Sequence, residues 1–375
     1  MNASSINEIR WHRVRVSPKT VWTFVELVDT DGRVGVGEAT LAKGESRMRE
    51  ALERFQHAVR GRAPAAVDLS GPRSRARSLP EFAVVSALDQ AVWDLVARQR
   101  GISVAAALGE ARRNSIAVYA NINRGIETRT PEGFAIQARR AVADGFRAIK
   151  IAPFDGIELY GDATRAVDPA LLGVGLARVG AVRDAVGPEV ELMVDCHWRL
   201  NGAVAKTVLD AVSAHRLHWL ECPVPESLEM LDTLRHLRRL ANARGVRLAG
   251  CEEMSLVRGF APFLDAGAYD VMMPDVKYVG GLREMLTVAD AFMAHGVAFS
   301  PHNPSGPIAH AASLHVCAVS PTLDRLEVQY AETPLFDALV GGALPPAVQG
   351  RIDVPRGPGM SVRLDRYLVQ RLAAE

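Results

Sequence analysis

Carboxylates end three consecutive apolar stretches in the middle of this 375-residue sequence. Asp195 and Glu221 end the first two stretches, and the adjacent Glu252 and Glu253 end the third. Carboxylates brought to one point repel one another unless a cation lies between them. All-oxygen ligation favours Mg²⁺ or Mn²⁺, so the pattern predicts a site for such an ion. Glu252 and Glu253 face opposite sides of a strand, and the residues alone do not decide which one is the ligand.

Three cysteines lie beside these carboxylates and allow a zinc site as the alternative. They are Cys196, Cys222 and Cys251. Because side chains alternate between the two faces of a strand, the thiols and the carboxylates cannot both face the same site. We favour the carboxylates because Asp195 shares its face with His197, a second polar residue; the cysteines then pack as small buried hydrophobes.

Other strand ends carry groups that move protons. His302 and Asp275 end two neighbouring apolar stretches, and an aspartate that binds one imidazole nitrogen makes the other nitrogen a poised base. Lys150 and His197 are further proton-transfer candidates. A divalent cation beside Lys150 should lower the pKa of its ammonium group. Lys277 is expected either to line the same site or to form a salt bridge with Asp275.

The elements that position these residues alternate in type from residue 116 onwards. Eight strand-length apolar runs are separated by helical stretches, which is typical of βαβ units with buried parallel strands. The predicted strands are Ile116–Asn121, Ala148–Pro153, Val190–His197, Leu217–Pro223, Arg247–Glu252, Tyr269–Asp275, Val297–His302 and Leu323–Gln329. Eight such units predict a barrel whose strand ends meet at one face, with a doubly wound open sheet as the alternative.

Helices are predicted between these strands, and a different pattern precedes them. The predicted helices are one opening at Thr130-Pro131-Glu132 and those over Leu172–Val186, Val204–Ala214, Glu229–Ala243, Gly281–Ala294 and Ile308–Val319. The first 115 residues predict an α+β domain with strands Trp11–Val16, Val21–Val28 and Arg33–Ala39 and helices Arg47–Val59 and Glu81–Arg100. Residues 116–329 are then the barrel, and residues 330–375 return to the first domain.

Composition excludes several classes of protein. The 44 basic and 43 acidic residues nearly balance, which argues against a nucleic-acid-binding surface. The apolar runs are too short to span a bilayer, and charged residues interrupt the segment where a signal peptide would lie. Four cysteines without a CxxC pair are typical of a reduced, cytoplasmic protein.

Taken together in order, these motifs resemble the enolase superfamily in its mandelate racemase-like subgroup. The matching segments are Ser86–Asp94, Val194-Asp195, Leu220–Pro223, Leu248–Glu252, Met273–Asp275 with Gly280-Gly281, Pro301–Pro304 with Gly306-Pro307, and Arg356–Gly359. The resemblance implies a (β/α)7β barrel closed by an α+β capping domain built from both chain ends, and a homo-oligomer. It also implies that Asp195, Glu221 and Glu252 bind Mg²⁺.

The resemblance further implies a reaction that begins by removing the proton α to a substrate carboxylate. Glu327, at the eighth strand, could donate a hydrogen bond to the product of that step if it were protonated. Related racemases carry Lys-x-Lys on the second strand, but here the segment is Lys150-Ile151-Ala152, so one of the two opposed bases is missing. Asp195-Cys196-His197 resembles the Asp-x-His arrangement of acid-sugar dehydratases such as galactonate dehydratase.

We therefore predict a dehydratase that eliminates water from an aldonate or aldarate, with His302 as base and His197 as acid. Two alternatives stay open: a racemase, epimerase or cycloisomerase that begins with the same proton abstraction, and a non-catalytic metal-binding barrel. Residues 154–168, after the second strand, are expected to form a flap or an oligomer contact.

Overall fold

The first part of the chain forms an antiparallel sheet covered by helices. The computed structural model describes residues 4–158 and 167–374, so part of the predicted 154–168 flap lies outside the described residues. The sheet contains β1 (Ile6–Arg15), β2 (Val21–Asp29) and β3 (Val34–Glu38), paired in that order. The helices are α1 (Glu45–Phe55), α2 (Ser70–Arg75), α3 (Leu79–Gln99) and α4 (Val104–Leu108). This sheet and its helices are called the cap below.

Helix α3 lies directly against β3 because that strand carries glycine where the two backbones meet. A Cβ atom on Gly37 would lie 2.0 Å from the carbonyl oxygen of Ala87, and one on Gly35 would lie 2.1 Å from that of Ala91. The helix begins at a capping box formed by Ser78 and Glu81. Close approach buries most of the helix and forms the hydrophobic core of the cap.

Eight parallel strands follow, joined by helices. The strands are β4 (Ser115–Asn121), β5 (Ala148–Ile151), β6 (Glu191–Asp195), β7 (Leu217–Glu221), β8 (Arg247–Gly250), β9 (Val271–Met272), β10 (Ala298–Phe299) and β11 (Leu326–Gln329). The connecting helices are α5 (Pro131–Ala143), α6 (Pro169–Val186), α7 (Gly202–Val212), α8 (Leu231–Asn242), α9 (Leu256–Asp265), α10 (Leu282–Ala294) and α11 (Pro307–Val319). Helix α9, which contains Pro262, was not predicted.

The strands close into a barrel. The sheet order is β10-β9-β8-β7-β6-β5-β4-β11, and its two end strands meet through hydrogen bonds from Asp324 N to Phe299 O (2.8 Å) and from Glu327 N to Pro301 O (3.3 Å). The (β/α)7β prediction is confirmed, and the open-sheet alternative is wrong. No helix in the described part of the chain is long and apolar enough to cross a membrane.

Residues inside the barrel show why the candidate groups converge. The interior is filled by Tyr119, Ala148, Met193, Trp219, Ala249, Val271 and Met273. Asp195 and Glu221 lie two residues beyond Met193 and Trp219 on the same strands, so they face inwards at the carboxyl ends.

The end of the chain contacts both parts of the molecule. Three short elements follow the barrel along the chain: helix α12 (Leu335–Ala338), strand β12 (Arg351–Asp353) and helix α13 (Arg366–Arg371). Strand β12 pairs antiparallel with β4. Met360 N then donates to Asp94 in α3 (2.7 Å), and Ala374 N donates to Arg13 O in β1 (2.9 Å).

A buried carboxylate joins the cap to the barrel loops. Glu38, at the end of β3, accepts hydrogen bonds from Gly306 N (2.8 Å) and Ala309 N (2.9 Å) at the start of α11. Gln90 in α3 donates to the carbonyl oxygens of Glu38 (3.3 Å) and Val276 (3.2 Å). The cap is therefore fastened to the loops that follow β9 and β10.

The Gly37→Ala substitution should strongly destabilise the protein, because the new methyl group would meet backbone atoms of α3 that cannot move aside. We expect a loss of at least the roughly 1–3 kcal/mol typical of overpacking, measured by urea unfolding. Gly109→Ala is the matched control, since an added Cβ there meets nothing within 4 Å. Equal unfolding midpoints for the two variants would contradict the close packing of β3 and α3.

Candidate active site

Three buried carboxylates converge where β6, β7 and β8 end. Ligand oxygens of Asp195, Glu221 and Glu252 all lie within 4.8 Å of one another, and these three residues are the metal-binding cluster found among residues 4–158 and 167–374. Glu253 is exposed to solvent, so the structure assigns Glu252 to the cluster. This agrees with the ligand set that the resemblance implied.

The cysteines take the role of small core residues. Cys196 and Cys251 pack into the hydrophobic layer outside the barrel interior. In the described part of the chain, the three thiols do not lie close enough together to hold a metal ion. Cys222 is buried and has φ = 44°, while Cys251 has φ = 70°, both in the left-handed region. The zinc alternative therefore lacks the required geometry.

The three carboxylates differ in their electrostatic surroundings. Burial raises the pKa of Glu252 well above its usual value, and the neighbouring charges of Asp195 and Glu221 raise it further. Burial also raises the pKa of Glu221, against the attraction of Lys150. Burial would raise the pKa of Asp195 too, but the adjacent His197 lowers it. Burial and the two neighbouring carboxylates thus disfavour the ionised form of Glu252 when no cation is close.

Lys150 lies between two carboxylates. Its Nζ atom is 2.6 Å from Glu221 Oε1 and 3.0 Å from Glu327 Oε1, and the side chain is buried. Burial alone would lower the pKa of Lys150, but the two carboxylates outweigh burial and raise the pKa well above its usual value. This direction applies to the surroundings that the chain alone supplies, so the lowering expected from a neighbouring divalent cation stays a prediction.

Glu327 accepts hydrogen bonds and does not donate one here. Asn121 Nδ2 donates to its Oε1 atom (2.7 Å), and the backbone N–H of Asn303 donates to its Oε2 atom (2.9 Å). Burial would raise its pKa, but Lys150 and His302 lower it. The protonated form, in which Glu327 could donate a hydrogen bond, is therefore disfavoured in these surroundings, and Glu327 contacts Lys150 and Asn121 as a carboxylate.

Two neutral side chains that donate hydrogen bonds to this site do not follow from the sequence patterns. Trp219 donates from its indole Nε1 to Glu221 Oε2 (2.8 Å), and Asn121 holds Glu327. The positions of these residues in the sequence could have indicated their roles. Asn121 is the last residue of the first barrel strand, and Trp219 lies two residues before Glu221 on the same face of its strand. Neither residue is charged, so a search for titratable groups passed over both.

The predicted imidazole–carboxylate pair is present. His302 Nδ1 lies 2.8 Å from Asp275 Oδ2, and the two residues form an isolated parallel bridge beyond β9 and β10. Because Asp275 holds Nδ1–H, the lone pair of the ring is on Nε2, which lies 3.5 Å from Glu252 Oε1. His302 therefore presents a basic nitrogen towards the carboxylate cluster.

Lys277 supports Asp275 from the other side. Its Nζ atom forms a salt bridge with Asp275 Oδ2 and a hydrogen bond with Ser305 Oγ, and the lysine is buried. Burial would raise the pKa of Asp275, but Lys277 and His302 together lower it. Of its two expected roles, Lys277 takes the salt bridge.

His197 is the most exposed of the predicted groups. Its Nε2 atom is 2.7 Å from Asp195 Oδ2, its backbone N–H donates to Asp195 Oδ1 (2.8 Å), and 38% of its side chain is exposed. Burial lowers its pKa, but the Asp195 carboxylate outweighs this and raises it. His197 is thus favoured in its protonated form and lies where a bound molecule can reach it.

The site as a whole carries more negative than positive charge. Five carboxylates (Asp195, Glu221, Glu252, Asp275 and Glu327) face two ammonium groups (Lys150 and Lys277). The arrangement can hold a hard cation, take up a proton at His302 and release one from His197.

Comparison with known families identifies the chain. Residues 133–368 match the model described as enolase C-terminal domain-like, and residues 9–109 match the mandelate racemase / muconate lactonizing enzyme N-terminal domain. The chain belongs to the enolase superfamily. The resemblance drawn from the sequence is confirmed for both parts of this superfamily member.

Relatives of this superfamily member are named as dehydratases. A D-gluconate dehydratase from Thermoproteus tenax is 31% identical over 358 residues, which cover 94% of this chain and 70% of that protein. A D-galactonate dehydratase from Variovorax paradoxus is 30% identical over 312 residues, which cover 82% and 77%. These names class the chain as a hydro-lyase.

A solved structure shows the same fold. The mandelate racemase/muconate lactonizing enzyme from Jannaschia sp. CCS1 has a TM-score of 0.88 at 23% identity, with coverage of 99% of this chain and 98% of that one. The barrel and the cap are therefore arranged as in that protein.

Lys277→Met should destabilise the protein by about 3–5 kcal/mol at neutral pH, because it leaves the buried charge of Asp275 without its cation. Since the folded-state pKa of Asp275 is lowered, its stabilising effect is present at neutral pH and is lost as the pH falls below about 4. Urea unfolding at both pH values measures the effect.

Lys206→Met is the matched control. Lys206 pairs with Asp210 at 2.9 Å, but both side chains are about half exposed. Exposed pairs contribute only about 0–1 kcal/mol. A loss for Lys277→Met as small as for this control would contradict the buried ion pair.

Proposed function

We propose that the protein is a Mg²⁺-dependent dehydratase of an acid sugar, an aldonate or an aldarate, which it converts to a 2-keto-3-deoxy acid. The observation that carries the proposal is the convergence of three groups: the cluster of Asp195, Glu221 and Glu252, the basic Nε2 atom of His302, and the protonated imidazole of His197. The gluconate and galactonate dehydratases among its relatives support the substrate class.

Mg²⁺ fits the residues present. Asp195, Glu221 and Glu252 offer only oxygen ligands, and the raised pKa of Glu252 reflects a lack of positive charge that a divalent ion would correct. When bound, such an ion supplies the concentrated positive charge that makes a proton α to a substrate carboxylate acidic enough to remove.

His302 is the proposed base. Asp275 accepts the hydrogen bond from Nδ1–H and stabilises the imidazolium that forms when Nε2 takes the α-proton. Lys277 in turn keeps Asp275 ionised, so the aspartate orients the ring without competing for the proton.

His197 is the proposed acid. His302 first takes the α-proton, and the electron pair of the broken C–H bond moves into the substrate carboxylate. The electron pair then forms the bond between the α- and β-carbons as the β C–O bond breaks and His197 protonates the leaving hydroxyl to give water. The resulting enol then tautomerises to the 2-keto acid. Asp195 raises the pKa of His197, which favours the protonated ring that this step requires.

Lys150 contributes positive charge. Held between Glu221 and Glu327, its ammonium group can stabilise negative charge on the substrate. Ala152, in place of a second lysine, cannot transfer a proton. Elimination through His302 is therefore favoured over racemisation, which needs a base on each face.

A homo-oligomer and a cytoplasmic location stay predictions.

Incubation with a panel of aldonic and aldaric acids should release a 2-keto acid from at least one of them. Excess chelator should abolish the release, and added Mg²⁺ should restore it, because the α-proton is not acidic enough without the cation. Release that persists in excess chelator would contradict the metal assignment. A panel without any 2-keto acid product would contradict the substrate class.

His302→Asn and His197→Asn should separate the two proton transfers in heavy water. His302→Asn should lower both α-deuteration and product release by about 10²–10⁴-fold, since it removes the base. His197→Asn should lower product release to a similar extent but retain α-deuteration. His236→Asn, on the exposed face of α8, is the control and should match the wild type.

Two outcomes would contradict these roles. A near-native rate for His302→Asn would remove it as the base. Loss of α-deuteration in His197→Asn would mean that His197 also takes part in proton abstraction. In the wild type, α-deuteration without 2-keto acid formation would favour an epimerase or racemase.

A further inference from the structure

A carboxylate outside the catalytic set lies behind the third metal ligand. Glu226 belongs to the loop after β7, and its Oε1 atom accepts hydrogen bonds from the backbone N–H of Cys251 (2.6 Å) and from the hydroxyl of Tyr269 (2.8 Å). Glu226 has no role in the proposed mechanism. It is nevertheless bound to the residue directly before the metal ligand Glu252.

The backbone at Cys251 decides where Glu252 points. In a continuing strand, Cys251 would share the inward face with Ala249, which packs inside the barrel. Cys251 instead has φ = 70° and packs in the outer hydrophobic layer, which ends the alternation and brings Glu252 into the site. A left-handed, non-glycine residue persists only where its surroundings hold it, and the bond to Glu226 is such a restraint.

The residue before Cys251 leaves room for this contact. A Cβ atom on Gly250 would lie 2.3 Å from Glu226 Oε1 and 2.7 Å from Cζ of Tyr269. Only glycine therefore allows Glu226 and Tyr269 to pack against the end of β8.

Glu226 also contacts the turn after the second ligand, where Cys222 Sγ lies 3.9 Å from its Oε1 atom. The turn after the first ligand is joined to Cys222 through the backbone, since Trp198 N donates to Cys222 O (2.7 Å). Both residues have left-handed backbones, with φ = 54° for Trp198 and 44° for Cys222. Glu226 thus contacts two of the three turns next to the ligand-bearing strands directly, and the third through Cys222.

We propose that Glu226 is a positioning residue, which fixes the geometry of the three ligand carboxylates by holding the left-handed turns at Trp198, Cys222 and Cys251. The inference rests on the metal site of the proposed function. In this role Glu226 acts through the position of its hydrogen-bond-accepting oxygen and not through its negative charge.

Binding of Mn²⁺ to the metal-free protein, measured by titration calorimetry, tests this role. Glu226→Ala should weaken binding by about 10–100-fold, as is usual when a partner behind the ligands is removed. Glu226→Gln keeps an acceptor oxygen at the same distance and should bind within about threefold of the wild type. Glu226→Asp keeps the charge but shortens the reach, and should bind at least about fivefold more weakly.

Controls separate this effect from a general loss of stability. Glu229→Ala, at an exposed position three residues along the same loop, should bind like the wild type. Thermal unfolding in excess chelator shows whether each variant is folded. Where Glu226→Ala does not fold, the comparison of the Asp and Gln variants carries the test.

The outcomes are distinguishable. Wild-type affinity in Glu226→Ala or Glu226→Asp would overturn the positioning role, and weak binding by Glu226→Gln would overturn the acceptor argument. A wild-type protein that does not bind Mn²⁺ would overturn the proposed metal site, and this inference with it.

Discussion

Crowding of negative charge at the mouth of the barrel is the constraint on which the rest of the site depends. Five buried carboxylates face two ammonium groups, and most of their oxygens are already held by a donor within the chain. Glu252 is the exception, because the partners that the described residues offer it are more distant: His302 Nε2 lies 3.5 Å from Oε1 and Cys222 Sγ lies 4.0 Å from Oε2. Repulsion among these carboxylates destabilises the cluster, and a divalent cation between them would remove that repulsion. The crowding of carboxylates therefore favours binding of such a cation.

Strands hold only part of the site in place. Asp195 and Glu221 are the last residues of β6 and β7, but β9 and β10 end at Met272 and Phe299, before Asp275 and His302 are reached. The proposed base and its aspartate therefore lie on loops that are fixed from outside the barrel. Glu38 and Gln90 of the cap hold the loops after β10 and β9, which ties the position of the base to the packing of the cap. A cap mutation can thus alter catalysis without any contact with the substrate.

The barrel and the ligands could be predicted from sequence because both depend on simple patterns, namely apolar runs of strand length and carboxylates directly after them. Helix α9 was missed because Pro262 lies inside it and usually breaks a helix. Glu226 was missed because it follows no apolar run, and its partners are 25 and 43 residues away. The pairing of Lys150 with Glu327 was missed because Glu327 approaches it from a strand 177 residues away (327 − 150), which no local pattern reveals.

Lys150 and His302, the two candidate bases, are paired with carboxylates in different ways. Lys150 is bound by two carboxylates, whereas His302 is bound by one carboxylate at Nδ1 and presents Nε2 towards the carboxylate cluster. A racemase needs two groups that exchange roles during each turnover, so both must lose and gain a proton readily. Here Ala152 stands where related racemases carry a second lysine, and alanine cannot transfer a proton. In the proposed mechanism, a single base on one face therefore favours departure of the β-hydroxyl, assisted by His197, over return of a proton from the opposite face.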